Sequence, residues 1–476
     1  MNKRRQRSQD RVGICRVLRG TAIALAATSL LAASNPAEAQ TPQSLIEALA
    51  QAYRTNPTLD GARAQLRATN EGVPQALSNW RPTVTLSGSV GQRWQEVEPA
   101  DDDGSFDTQP RDVELSVNQP LYRGGRTVAQ TNRAESEVLA ERSRLLAVEQ
   151  DVLFSTVAAY MDVWRDRSVL QLNINNEQVL ARQLEASEDR FEVGEITRTD
   201  VAQSESRLDG ATADRIQAEG NLTASAAVYE ELVGELPGEL RPPPPLEGLP
   251  VSLEETVDQA LEQNPAVLQA DFLEEAASFQ VRESFGELLP QASLTGRLRY
   301  NEEQSSPDSE REEAEILAQV TVPIYQAGFV SSQVRQAKQL ASQRLLEIDE
   351  ARRDSQQQAV SAWEALMTAR AQIVSFQSQV EASSIALEGV RQENAVGTRT
   401  TLDVLDAEQE LLDAQVNLVS AQRDEVVASF QLLTAVGRMN ASELGLPVDI
   451  YDPTRDYEEV RDSWFGLNAP GAGSNN

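Results

Sequence analysis

The chain has no histidine, two lysines (Lys3 and Lys338) and a single cysteine, Cys15, in 476 residues. Without histidine it lacks the commonest general base and the commonest metal ligand. One thiol cannot make good the loss, so no metal and no cofactor is expected. Lysine Schiff-base chemistry loses its usual nucleophile in the same way. No nucleophile, base and orienting group occur together at recognisable spacing, which leaves a periplasmic hydrolase the least supported class. Long hydrophobic runs are missing too: none beyond the N-terminal region reaches the roughly 18 apolar residues of a spanning helix. A strand barrel stays open, because its signal per segment is weak. Positive charge is scarce, with 42 Lys+Arg against 74 Asp+Glu. No basic face is available to neutralise phosphates, and nucleic acid is excluded as a partner.

Positive charge is densest at the N-terminus. Lys3, Arg4, Arg5, Arg7, Arg11, Arg16 and Arg19 precede an apolar run over 21–33 and the small-residue site Ala37-Glu38-Ala39. This is the order of a secretory signal peptide, residues 1–39, cleaved before Gln40; the run is too short for a membrane anchor. Cleavage removes Cys15, leaving no disulfide and no lipid-acceptor thiol. It takes seven basic and two acidic residues from the 42 and 74, which brings the net charge to −37.

What the chain does contain, it contains twice. Asn56-Pro57 returns as Asn264-Pro265, Ser44-Leu45 as Ser252-Leu253 and Pro82 as Pro290, each 208 positions on. Beyond the second proline of each copy the offset is 203: Pro120-Leu121-Tyr122 matches Pro323-Ile324-Tyr325, Val193-Gly194 matches Val396-Gly397, and Asp200-Val201 matches Asp403-Val404. One structural unit has been duplicated. The boundaries read as a first repeat over 40–234, a linker over 235–250 stiffened by Pro242 to Pro245, a second repeat over 251–446, and a tail over 447–476. The tail is expected to pack on the outside as far as about Leu467.

Each repeat reads helix, strand, acidic loop, strand, very long helix, turn, helix. Val84, Leu86, Gly88 and Val90 alternate with Thr and Ser, and Val113, Leu115, Val117 and Leu121 with polar residues. Ala292, Leu294, Gly296 and Leu298, then Ile316, Ala318, Val320, Val322 and Ile324, repeat the pattern. Alternation over about ten residues suits a membrane barrel strand, apolar outside and polar inside; the alternative is a half-buried hairpin of a soluble sandwich. Trp80, Tyr122 and Tyr325 stand where strands meet helices, and Trp94 and Tyr300 at the opposite ends, as two aromatic girdles would. The loops beyond are acidic, with Glu96, Glu98, Asp101, Asp102, Asp103 and Asp107 in one. Four strands cannot close a barrel, so several chains must share one.

After Gly125 and Gly328 come about 68 residues without proline, enough for helices on the order of 100 Å long. Their apolar residues run in sevens: Val138, Leu145, Val152 and Ala159 beside Leu139, Leu146, Leu153 and Tyr160; then Ala359, Leu366, Ile373, Val380 and Leu387 beside Val360, Met367 and Val374. Two adjoining stripes let a helix touch neighbours on both sides, as in the wall of a tube; an ordinary long coiled coil is the alternative. The leading helices, Ser44 to Ser78 and Ser252 to Leu289, and the return helices, Asp200 to Val233 and Asp403 to Val436, are each about half as long.

The string Val396-Gly397-Thr398-Arg399-Thr400-Thr401-Leu402-Asp403-Val404-Leu405-Asp406, with the Asn-Pro pairs and the Pro-Leu-Tyr and Pro-Ile-Tyr strand ends, resembles the TolC family of outer-membrane channels. The resemblance covers nearly the whole mature chain. It implies an α+β membrane protein, a homotrimer in which each protomer gives four strands to one β-barrel in the outer membrane lipid. Its helices would continue as a periplasmic α-helical barrel. The implied role is the exit duct of type I secretion or drug efflux, docked to a periplasmic adaptor and an inner-membrane ABC or proton-driven transporter. A soluble periplasmic coiled-coil adaptor or scaffold is the alternative, and it leaves the strands without a purpose. Thr197 with Asp200, and Thr400 with Asp403, have the spacing of helix caps. Asp406 has Gln203 as its counterpart and no capping role. By resemblance, Asp403 and Asp406 form the acidic ring of the periplasmic entrance, and Arg399 with Asp200 holds the gate. Asn394 stands where the family has a tyrosine that helps to tie that gate.

Overall fold

The computed structural model describes residues 43–96, 105–304, 306 and 308–467. The expected signal peptide, the middle of the first acidic loop and the end of the tail lie outside the described residues. The first repeat runs α1 (Leu45–Thr55), α2 (Pro57–Asn70), α3 (Gly72–Ser78), β1 (Thr83–Val90), β2 (Arg93–Glu96), β3 (Ser105–Thr108), β4 (Arg111–Arg123), α4 (Arg126–Glu192) and α5 (Arg198–Val233). The second runs α6 (Leu253–Gln263), α7 (Pro265–Gly286), β5 (Gln291–Glu302), β6 (Glu310–Thr321), α8 (Phe329–Ala395) and α9 (Thr401–Ala435), and α10 (Pro453–Arg461) follows in the tail. Two expectations are corrected. The leading helices are broken, not continuous, and Glu96 and Asp107 belong to a short antiparallel extension, β2 with β3, not to a loop.

The break explains the duplicated Asn-Pro pair. Proline lacks the N–H that would continue the preceding helix, and it suits the first position of the next. Asn56 ends α1, and its Oδ1 accepts the N–H groups of Thr58 at 2.9 Å and Leu59 at 3.4 Å to cap α2. Its amide nitrogen donates to the Leu232 carbonyl at 3.2 Å, closing the end of α5. Asn264 repeats the joint, accepting from Ala266 at 2.9 Å and donating to the Ala435 carbonyl at 3.1 Å. One side chain thus satisfies two helix ends, and the backbone N–H of the same residue closes a third, donating to the Ala52 carbonyl at 2.9 Å in the first repeat and to the Ala260 carbonyl at 3.2 Å in the second.

Helices α4 and α8 are 67 residues each. Val138, Leu145, Val152, Ala159, Leu153 and Tyr160 are buried within the single chain, as are Ala359, Leu366 and Leu387. The central helix α4 packs on α5, α7, α9 and α2, whereas α8 packs on α9, α7 and α6. Among the described residues one flank of α8 therefore has no cover, and Leu345, Leu346, Val374 and Ile385 lie exposed along that helix. The linker lies against the bundle: the Gln43 N–H donates to the Glu239 carbonyl at 2.9 Å, and Leu240 is buried beside Tyr160. The Tyr160 hydroxyl lies 2.7 Å from the Arg241 carbonyl and accepts the Arg241 N–H at 3.0 Å. In the tail, α10 packs on α2 and α3, and Arg81 lies over the Trp464 ring at 4.6 Å.

Glu149 of α4 is buried in the central core, where its carboxylate accepts the Ala441 N–H at 2.7 Å. Burial pushes its carboxyl above the ordinary 4.5, with the Ala441 N–H and Arg63 pulling the other way. A raised folded-state value favours the protonated form. The stabilisation is present in full below the unfolded value and is lost as pH rises through the folded one. Glu149→Gln keeps the acceptor without the charge. It is expected to melt above the wild type at about pH 8 and together with it at about pH 4, measured by thermal unfolding of the purified protein.

Candidate gate and pore-lining residues

The sheet order is β1-β4-β5-β6, antiparallel throughout, so β4 and β5 join the two repeats while β1 and β6 are free edges. Its register puts Val84 opposite Val117, Leu86 opposite Leu115, Leu115 opposite Leu298 and Gly296 opposite Ile316, one continuous apolar face. That face is bare: Leu86 is 71% and Ile316 82% exposed. A bulge between Pro120 and Tyr122 shifts the register by one residue and sets Tyr122 opposite Ala292, on the apolar face instead of the polar one. Trp80, Tyr122 and Tyr325 lie at the helix end of the sheet, Tyr300 toward the far end and Trp94 in β2 beyond it, all five exposed.

The opposite face is charged. Arg297 of β5 lies 3.1 Å from Glu114 and 3.2 Å from Glu315, and Arg299 lies 2.6 Å from Asp112 and 3.7 Å from Glu114. Pattern reading places these residues on the polar side but does not find the ladder. Which charge meets which depends on the register between repeats, and no local signal carries it.

At the far end of the long helices the two turns are built alike. The Thr197 N–H and hydroxyl donate to Asp200 at 2.9 and 2.8 Å, and those of Thr400 donate to Asp403 at 2.9 and 2.7 Å. Both complete capping boxes at the starts of α5 and α9. The Thr400 donors, hydroxyl first, hold the Asp403 carboxyl below its ordinary value, and the nearby charge of Arg399 adds to this. Arg399 and Asp200 are not brought together within one chain. Arg399 donates to Glu393 at 2.9 Å and lies 3.9 Å from Asp403, while the Asn394 amide donates to the Arg399 carbonyl at 3.0 Å. Asp406 pairs with Arg207 of α5, a residue that pattern reading passed over. A second unforeseen pair joins Arg391 of α8 to the buried Glu408 of α9 at 3.0 Å.

A sheet with a bare apolar face and a charged reverse cannot rest in water on both sides. Mounted on helices far longer than a globular core needs, it defines a membrane duct. The chain belongs to the outer membrane efflux protein family, whose model matches residues 37–235 and 256–438, once on each repeat. It is 36% identical over 457 residues to the outer membrane efflux protein BepC of Brucella suis, covering 96% of this chain and 98% of that protein. To the outer membrane protein TolC of Vibrio cholerae it is 27% identical, over 84% of this chain and 92% of that one. The solved outer membrane channel CmeC of Campylobacter jejuni shares the fold with a TM-score of 0.76 at 16% identity, over 88% of this chain and 89% of that one. The chain is an outer-membrane exit duct with a large periplasmic helical part, not a soluble adaptor.

Proposed function

We propose that three copies assemble into one duct that carries exported proteins or small toxic compounds outward. It would take them from a periplasmic adaptor and an inner-membrane ABC or proton-driven transporter. The observation that carries this reading is the matched pair of open edges. Strands β1 and β6 leave their outer hydrogen-bonding groups unpaired while α8 leaves an apolar flank uncovered. Unpaired backbone is not tolerated in lipid, so the edges must meet those of further copies. The bare apolar face then turns to lipid between the girdles of Trp80, Tyr122 and Tyr325 and of Trp94 and Tyr300, and the arginine ladder lines the pore. The turns converge on the axis at the periplasmic end, with Asp403 and Asp406 of each copy as an acidic ring. The mass of the detergent-purified particle tests this; a stable monomer would sink it.

Gate closure is assigned to Arg399 and Asp200 of neighbouring copies, since neither meets the other within a chain. Arg399→Ser, and Asp200→Asn, which keeps an oxygen for the Thr197 cap, are each expected to raise single-channel conductance about two- to tenfold in a planar bilayer, because a charge-assisted pair is removed. Unchanged conductance in both would take these residues out of the gate.

A further inference from the structure

Asp406 does not reach the axis as a free carboxylate. The guanidinium of Arg207 on α5 pairs with it inside the same chain, with side chains 40% and 57% exposed. One residue away, Leu405 is buried against Leu180 of α4 and Ala211 of α5. The α8–α9 hairpin therefore docks on the α4–α5 hairpin near the tip through one apolar knot and one ion pair. A second ion pair between these hairpins, Arg423 with Asp162 at 2.9 Å, lies much further along α9. Asp403 differs from its neighbour: it answers to Thr400, with Arg399 only at 3.9 Å.

Comparison of the repeats sharpens the point. At the offset of 203, Arg207 corresponds to Glu410 and Asp406 to Gln203. The repeat-related contact, which α9 would make with α5 of the next copy in a closed tube, would set Gln203 against Glu410, a pair without opposite charges. At this position the interface inside a chain has an ion pair that the sequence does not supply to the interface between chains.

We infer that Arg207 is a built-in counter-ion of the acidic ring, setting how much negative charge the periplasmic entrance presents and clasping the two hairpins of each copy. This rests on the trimeric duct proposed above. Three of the six ring carboxylates then carry a cation in direct contact, and Asp403, whose Arg399 stands off at 3.9 Å and bonds Glu393 instead, presents more of its charge to the axis. Loss of Arg207 frees Asp406 and loosens the tip together.

The full-length trimer in a planar bilayer, with hexaamminecobalt(III) added on the periplasmic side, tests it. Arg207→Gln is expected to lower the half-blocking concentration about two- to fivefold, the range for an exposed ion pair, and to raise conductance without blocker. In the Asp406→Asn background the same substitution should change neither. The reversed pair, Arg207→Asp with Asp406→Arg, keeps the clasp while removing ring charge, and should combine low conductance with weakened block. A blocked wild type with an unresponsive Arg207→Gln, or an equal response in the Asp406→Asn background, overturns the counter-ion alone. A wild type that is not blocked, and that Asp403→Ala does not alter, means instead that the ring fails, and the inference with it.

Discussion

The trimer carrying both Asp403→Ala and Asp406→Ala is expected to conduct in the presence of trivalent cations that close the wild type. In the proposed ring, six carboxylates around one narrow axis would attract a multivalent cation together, and each lost charge would weaken the attraction of the rest. Clustered carboxylates bind such ions with affinities that follow the charge count, so the half-blocking concentration should rise on the order of a hundredfold in the double variant. The single variants should be unequal. Asp403 is kept ionised by the Thr400 hydroxyl and N–H, whereas Asp406 is already matched by Arg207, so Asp403→Ala should lose more block than Asp406→Ala. Thr400 still caps α9 through its own hydroxyl, which accepts the residue-403 N–H at 3.2 Å, and assembly is expected to survive. Undiminished block in the double variant would leave both aspartates as helix-terminus residues and place the narrowest point elsewhere.

How much of this is legible in the sequence depends on whether the cause is local. The long helices begin after Gly125 and Gly328 and end at the Val-Gly turns, as read, because proline-free runs and threonine caps are local signals. The β1 pattern is likewise legible, since alternation is a property of one strand; of β6 only Ile316, Ala318 and Val320 are, because the strand begins at Glu310, among residues that read as acidic loop, and ends at Thr321, short of Val322 and Ile324. The broken leading helices are not. The Asn-Pro dipeptide is visible, but its force comes from an amide that reaches Leu232 and Ala435, far along the chain. Tyr122 illustrates the opposite case: it is read at the helix end of its strand, where it lies, although simple alternation would place it on the polar face, and only the bulge turns it to the apolar one. Arg207 left a trace in the copy comparison, as the position where arginine replaces the glutamate of the other repeat. The trace becomes a contact only once α5 and α9 are seen to meet.

The same joint yields the largest expected effect on folding. Gly437, just past α9, has φ +82°, and a Cβ there would lie 2.3 Å from the carbonyl oxygen of Gln263 and 2.7 Å from its carbonyl carbon. Both are backbone atoms at the α6–α7 break, pinned by the Asn264 amide on Ala435, so no flexible side chain can give way. Gly234 is the repeat-related residue, with φ +88°, but the nearest atom to its Cβ would be the Thr55 hydroxyl oxygen at 3.6 Å, an ordinary contact. Gly234→Ala therefore carries only the left-handed backbone cost, about 1–2 kcal/mol. Gly437→Ala adds forced displacement of packed backbone, about 1–3 kcal/mol more. The pair should separate in thermal unfolding and in yield of assembled trimer, with Gly437→Ala close to loss of assembly and Gly234→Ala near the wild type. Equal losses would mean that the backbone conformation alone sets the cost. The close approach of α9 to the second Asn-Pro break would then not be what holds the repeat together.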